Sequence, residues 1–305
     1  GMSKMMVGPL VAGLSLLIVS RVRYDTLPRF TSRDLRGHPW RAISFSAAAV
    51  AIIISEGQYL FGVLLFFVGI ISAFLNVMAG GGSALALPAL IFLGLDSALA
   101  NGTNRVAILI QNIAAVSSFR QQEVHAFRQS VKFALWALPG AVAGSVLGVT
   151  VSDEWFQRIL GVVMIGTVVT ILLPQKTSGE TDDATARKRE RWVYPIMFGI
   201  GIYGGFIQVS VGFLFMAVLY HLMKMNLVHV NMHKVTIVMM YMVPTLAIYA
   251  WTGNVDWILG LVLGAGSAIG GWWAAHASVK GGEKVIRYML GFAIFLMALK
   301  LFEVY

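Results

Sequence analysis

The sequence predicts an all-α polytopic membrane protein of two inverted-topology helical repeats, each with a broken, re-entrant helix pair, behind extra N-terminal helices. Three observations predict it. The chain is 58% hydrophobic and only 12% charged, where a soluble domain carries roughly 25% charged residues. Long apolar runs alternate with short polar loops, the pattern of repeated membrane crossings. A glycine triplet, Gly80, Gly81 and Gly82, interrupts one of those runs within NVMAGGGSALALP, from Asn76 to Pro88.

The triplet organises the rest. Three glycines do not hold a helix against their backbone entropy, so the chain is expected to break there and free amide and carbonyl groups. Broken backbone at membrane depth survives only where protein buries it or a polar cavity receives it, so this stretch marks a candidate binding site. The plain alternative is a close helix crossing, in which glycine only lets two backbones approach.

In order along the chain, Met5 to Ser20 reads as a short uncleaved first helix, with Arg21 and Arg23 directly behind it. Arg21 to Arg41 carries six arginines and is expected to stay cytoplasmic. Ala42 to Ser55 reads as a second span, and Leu60 to Leu93 as the first broken run. Spans are predicted near Thr103 to Ser118, Phe133 to Val151 and Phe156 to Leu173. Gln175 to Arg191 reads as a polar loop dividing the protein. A second broken run, Tyr194 to Met223, precedes spans at Val235 to Trp251, Trp257 to Ala275 and Tyr288 to Leu301. The organisation predicted is an N-terminal extension (1–59), a first repeat (60–174), a cytoplasmic linker (175–191) and a second repeat (192–305).

Charge placement supports the inversion. If each broken run returns to its starting side, every Lys and Arg except Lys4, Arg105, Arg158 and Lys300 falls on the side of the arginine-rich loop. Glu56, Asp96, Asp153, Glu154 and Asp256 fall opposite. The basic side is then cytoplasmic, in what is expected to be a bacterial inner membrane, and the two halves enter from opposite faces. The net charge of +9 needs no nucleic acid as partner. Internal similarity agrees: AFLNVMAGGG lies over GFIQVSVGFL, matching Asn76 with Gln208 and Gly80 with Gly212, and a one-residue slip aligns Thr103 with Thr236.

At these residues the chain resembles the TauE/SafE family of sulfite exporters. The resemblance rests on the glycine triplet, Pro88 some six residues later, a short loop, then Ala100, Gly102 and Thr103, with a weaker second copy. It covers about Leu60 to Tyr305 and implies export of sulfite, sulfoacetate or a related small organosulfur anion. The second copy departs from the family pattern, with Ser210, Val211, Gly212 and Phe213 in place of a glycine cluster and Tyr220 where proline is common.

Ionisable residues inside spans are functional candidates, since each costs at least about 2.5 kcal/mol at a helix centre. Arg105 and Lys234 open equivalent spans in the two halves. Beside freed N–H groups they would bind an oxyanion, Arg105 with its planar fork. Near span ends they could instead reach headgroups. Asn76, Asn104 and Gln208 add amides, and Ser83, Thr103, Ser210 and Thr236 add hydroxyls, beside Gly80, Gly81, Gly82 and Gly212. Gln111 and Asn112 read as ties between helices. His233 is a candidate proton carrier. No metal is assigned to His229 and His233, which share a helical face without a third ligand.

No cofactor is implied. Cysteine is absent, no GxxxxGK[ST] loop indicates ATP drive, and Gly199, Gly201 and Gly204 match GxGxxG only inside a span. No Asp or Glu falls well inside a span, so an anion is expected to leave down the membrane potential without a coupled ion. A membrane-embedded enzyme or a non-transporting receptor are the rival classes. The first needs an acid, base or nucleophile pair at depth, and the second leaves the paired breaks unexplained.

Overall fold

The computed structural model describes residues 61–124, 126–156, 158, 159, 162 and 183–302. The expected spans at Met5 to Ser20 and Ala42 to Ser55, the loop between them and most of Phe156 to Leu173 lie outside the described residues. All but Phe61 belong to one compact unit, Gly62–Tyr305. It is all-helical, with no strand among the described residues.

Eight helices are treated in chain order: α1 (Phe61–Ala79), α2 (Ser83–Phe92), α3 (Ser97–Gln121), α4 (Phe127–Thr150), α5 (Asp183–Phe206), α6 (Val211–His221), α7 (Leu227–Trp251) and α8 (Trp257–Phe302). Four segments among them are long and apolar enough to cross a membrane: α1, α4, α7 and Trp257–Gly282 of α8. Helix α3 is as long as α7, but it buries Asn101, Asn104, Arg105, Gln111 and Asn112, which lower its hydropathy.

Helix ends are set by local chemistry. The Asn226 side chain accepts from the His229 amide at 2.9 Å and caps α7. Asp256 accepts from Leu259 N at 3.0 Å and starts α8, while the carboxylate of Asp153 accepts from Ser97 N at 2.7 Å, at the positive end of α3.

Helices α3 and α7 pack against each other at the centre, each with an unbroken buried run, at 100–108 and 230–238. Glycines seat the outer pairs. A Cβ at Gly140 or Gly144 of α4 would overlap the carbonyls of Phe198 or Ile202 on α5. Gly266 and Gly270 of α8 stand likewise against the carbonyls of Phe66 and Ile70 on α1. These helices touch backbone to backbone, as the four-residue glycine spacing predicts for α4.

Three boundaries differ from the sequence reading. Helices α3 and α7 begin at Ser97 and Leu227, well before Thr103 and Val235. Arg105 and Lys234 therefore stand about two turns inside their helices and do not open them. The expected loop Gln175 to Arg191 is helical from Asp183 onward, since DATARKRER is rich in strong helix formers. Between Trp257 and Phe302 the expected basic loop is reduced to one non-helical residue, Gly282, at φ 59° and ψ −160°.

Candidate functional site

Both apolar runs break. The first break is Gly80 to Gly82, between α1 and α2, with Gly80 at φ 88°, a left-handed conformation that glycine accepts without strain. The second is 207–210, between α5 and α6, and it contains no glycine. Gln208 and Ser210 carry the left-handed turn instead, at φ 67° and 59°, a strain of about 1–3 kcal/mol each. Side chains hold it: Tyr241 donates to Gln208 Oε1 at 3.0 Å, Ser83 to the Gln208 carbonyl at 3.4 Å, and Tyr203 to the Val209 carbonyl.

Gly212 is not itself the break. It is the second residue of α6, and its backbone lies directly on Gly80, so that a Cβ on either glycine would overlap the other. The two interrupted segments converge, and glycine is required where they meet.

The two buried cations cross between them. Arg105, on the helix that follows the first break, donates to the carbonyls of Gly204, Gly205 and Phe206, where α5 ends at the second break. Its guanidinium also lies 4.4 Å from the centre of the Tyr249 ring. Lys234, on the helix that follows the second break, donates to Asn76 O at 3.1 Å and Val77 O at 2.6 Å, where α1 ends, and to Asn231 Oδ1 at 2.9 Å. Asn101 reaches Phe206 O at 2.7 Å, and Asn231 reaches Met78 O at 3.4 Å, so each cation has an amide beside it doing the same job. Helix C-termini carry partial negative charge, and here each is met by a basic side chain.

Against the breaks lies a polar cavity lined by Asn76, Gln111, Asn112, Gln208 and Lys234, with Val211, Gly212, Val235 and Val238 completing the wall. In this conformation it has room for about one water molecule.

Of the residues singled out in the sequence, Asn76, Gln208, Gly212 and Lys234 line this cavity, and Ser83 touches it through the Gln208 backbone. The carbonyls of Gly81 and Gly82 accept from Ala84 N and Leu85 N in the first turn of α2, and the Gly82 carbonyl also accepts from Ser72 Oγ at 2.8 Å. Thr103 serves elsewhere, its hydroxyl accepting from Asp256 N at 2.9 Å beside the start of α8. Thr236 bonds back to the Met232 carbonyl of its own helix at 2.8 Å. Asn104, Arg105 and Ser210 are buried beyond the cavity wall. His233 lies outside the lining too, with Nδ1 2.8 Å from Ser130 Oγ and its ring edge-on to Phe133.

Gln111 and Asn112, expected only to tie helices together, do more than that. Both line the cavity, and Gln111 accepts from Asn76 Nδ2 at 3.3 Å. Their spacing of seven from Asn104 and Arg105, which puts all four on one helical face, is the signal that identifies them. Among the described residues no three His, Cys, Asp or Glu side chains gather as metal ligands.

The model of one protein family, described as sulfite exporter TauE/SafE, matches residues 65–301. The chain belongs to the TauE/SafE sulfite exporter family. It is 25% identical to a probable membrane transporter protein of Haemophilus influenzae, over 78% of this chain and 93% of that one. It is 28% identical to the probable membrane transporter protein YfcA of Escherichia coli, over 78% and 88%. A probable membrane transporter protein, ORF9, of Sinorhizobium is 23% identical over 78% and 90%. No solved structure matches the chain. Both breaks, both cations and the cavity lie within the TauE/SafE match, so the protein is an integral membrane transporter of this family whose polar centre is part of the shared region.

Proposed function

We propose that the protein exports a small organosulfur anion, sulfite or a sulfonate such as sulfoacetate, by alternating access about the cavity between the two breaks. One observation carries the reading. Arg105 and Lys234 are buried, yet among the side chains whose burial is described no Asp or Glu is buried to balance them. Carbonyl dipoles receive the hydrogen bonds of Lys234 and of the Arg105 terminal nitrogens but supply no counter-charge, and a buried charge without a counter-ion is costly. A bound anion supplies that counter-charge, with carboxamides Asn76, Gln111, Asn112 and Gln208 to receive its oxygens.

Residues 60–174 and 192–305 act in this reading as inverted repeats, each a broken helix followed by a cation-bearing helix, with 175–191 as linker and the basic loops in the cytoplasm of a bacterial inner membrane. The crossed placement of Arg105 and Lys234 supports it, since each bonds the end of the helix preceding the opposite break. The contracted cavity is then an occluded form that widens to admit the anion, and His233 remains a candidate carrier of protons beside that path.

Proteoliposomes loaded with radiolabelled sulfite or sulfoacetate test this directly. The expected result is release above protein-free liposomes that Lys234→Met abolishes. Release equal to protein-free liposomes for both anions contradicts it.

A further inference from the structure

Buried polar groups in proteins nearly always find a partner, so an unpartnered one asks for a reason. Five buried side-chain atoms among the described residues have no partner within the protein: Ser97 Oγ, Asn101 Oδ1, Asn104 Nδ2, Arg105 Nε and Ser210 Oγ. They are not scattered. Four lie on α3 at positions i, i+4, i+7 and i+8, hence on one face of its first three turns. The fifth is on the residue just before α6, in the second break, next to the Phe206 carbonyl end of α5 that receives both Asn101 and Arg105.

The corresponding face of α7 makes the contrast. Counted from its own first residue, it carries Leu227, Asn231, Lys234 and Val235. Asn231 and Lys234 bond to each other and to the carbonyls of Met78, Asn76 and Val77, and none of their atoms is left without a partner. Of two helices of equal length, α3 thus keeps unused hydrogen-bonding capacity on this face, and α7 does not. Further along α3 the same face reaches Gln111 and Asn112, which line the cavity. At its other end Ser97 meets the Asp153 carboxylate, beside Asp96.

We propose that this face of α3, with Ser210 opposite, is the hydrated route by which the anion passes between the cavity and the membrane face bearing Asp96 and Asp153. Four of the unpartnered atoms replace solvating water around the anion along the way, offering two N–H donors and two hydroxyls, while the fifth, Asn101 Oδ1, is an acceptor and takes a water instead. The counterpart on α7, whose Asn231 and Lys234 are already bonded within the protein, provides no such path, so the two faces of the membrane are reached through unlike walls. The inference rests on the transport reading for what travels, but the route itself is separately testable. By the charge rule the face with Asp96 and Asp153 is the one opposite the basic loops, which makes this the exit side.

The chain contains no cysteine, so single cysteines can be read without background. Ser97→Cys and Ser210→Cys exchange one atom and leave the fold least disturbed; Asn104→Cys extends the series, and Ile113→Cys, on the exposed side of α3, is the control. Each variant in proteoliposomes is treated with an anionic, membrane-impermeant methanethiosulfonate from one side at a time. Thiols react as thiolates, which form where water reaches them. The expected result is modification of Ser97→Cys, Asn104→Cys and Ser210→Cys from the Asp96 face, at least about tenfold faster than Ile113→Cys, and slowed by sulfoacetate. Rates no faster than the control, or modification only from the opposite face, in variants that still move sulfoacetate, overturn the route and leave the transport reading intact. Labelling as expected in a protein that moves and is slowed by no organosulfonate overturns the substrate reading and leaves the route standing.

Discussion

Arg105 and Lys234 each do two things with one charge: they fasten the end of a helix that stops inside the membrane, and they leave the protein centre positive. The first role is measurable in stability. Arg105→Lys keeps the charge but replaces a fork that spans the carbonyls of Gly204, Gly205 and Phe206 with a single ammonium. Hydrogen bonds to charged groups contribute about 1.5–3 kcal/mol each, so the variant is expected to unfold at lower temperature in detergent while still binding an anion. Ser210 gives the opposite sign. Its left-handed φ of 59° costs about 1–2 kcal/mol, and its side chain makes no hydrogen bond in return. Ser210→Gly is expected to hold or raise the melting temperature, and a clear fall would show that the hydroxyl is used by the fold.

Among the elements, the outer helix pairs are fixed by glycine contacts, and two neighbouring substitutions separate contact from propensity. Gly140→Ala drives a methyl into the Phe198 carbonyl between α4 and α5 and is expected to cost about 1–3 kcal/mol. Gly199→Ala on α5 meets nothing within 4 Å and is expected to stabilise its helix by up to about 1 kcal/mol. Melting curves of the two variants should move in opposite directions. The same elements show how far the sequence could be read. The first break was legible because glycine both permits the turn and announces it. The second carries no glycine to announce it, because Gln208 is held left-handed by Tyr241 and Ser83, residues distant in sequence. The starts of α3 and α7 were missed for a related reason: their first two turns carry Asn101, Asn231 and other polar residues that resemble loop until burial in protein is known. The cations were found by type, but their carbonyl partners belong to the opposite break, and no local pattern records that.

At the scale of the whole molecule, the described core holds cations without buried carboxylates, and this bears on energy coupling. A negative cell interior drives an anion outward by about 2.3 kcal/mol per charge per 100 mV. Sulfite flux in proteoliposomes is therefore expected to follow an imposed voltage and to ignore a pH gradient; flux that tracks the pH gradient alone would instead make His233 the group to examine. Export in this form requires the two breaks to make one anion site between them, with Asn76 beside the first and Gln208 in the second. Thermal stabilisation by sulfoacetate measures that site most directly, since a ligand at a hundred times its dissociation constant adds about 2.7 kcal/mol. The prediction is a rise in melting temperature for the native protein that Asn76→Ala and Gln208→Ala each reduce, with the double variant no worse than the weaker single one. Stabilisation that survives both substitutions unchanged would contradict it.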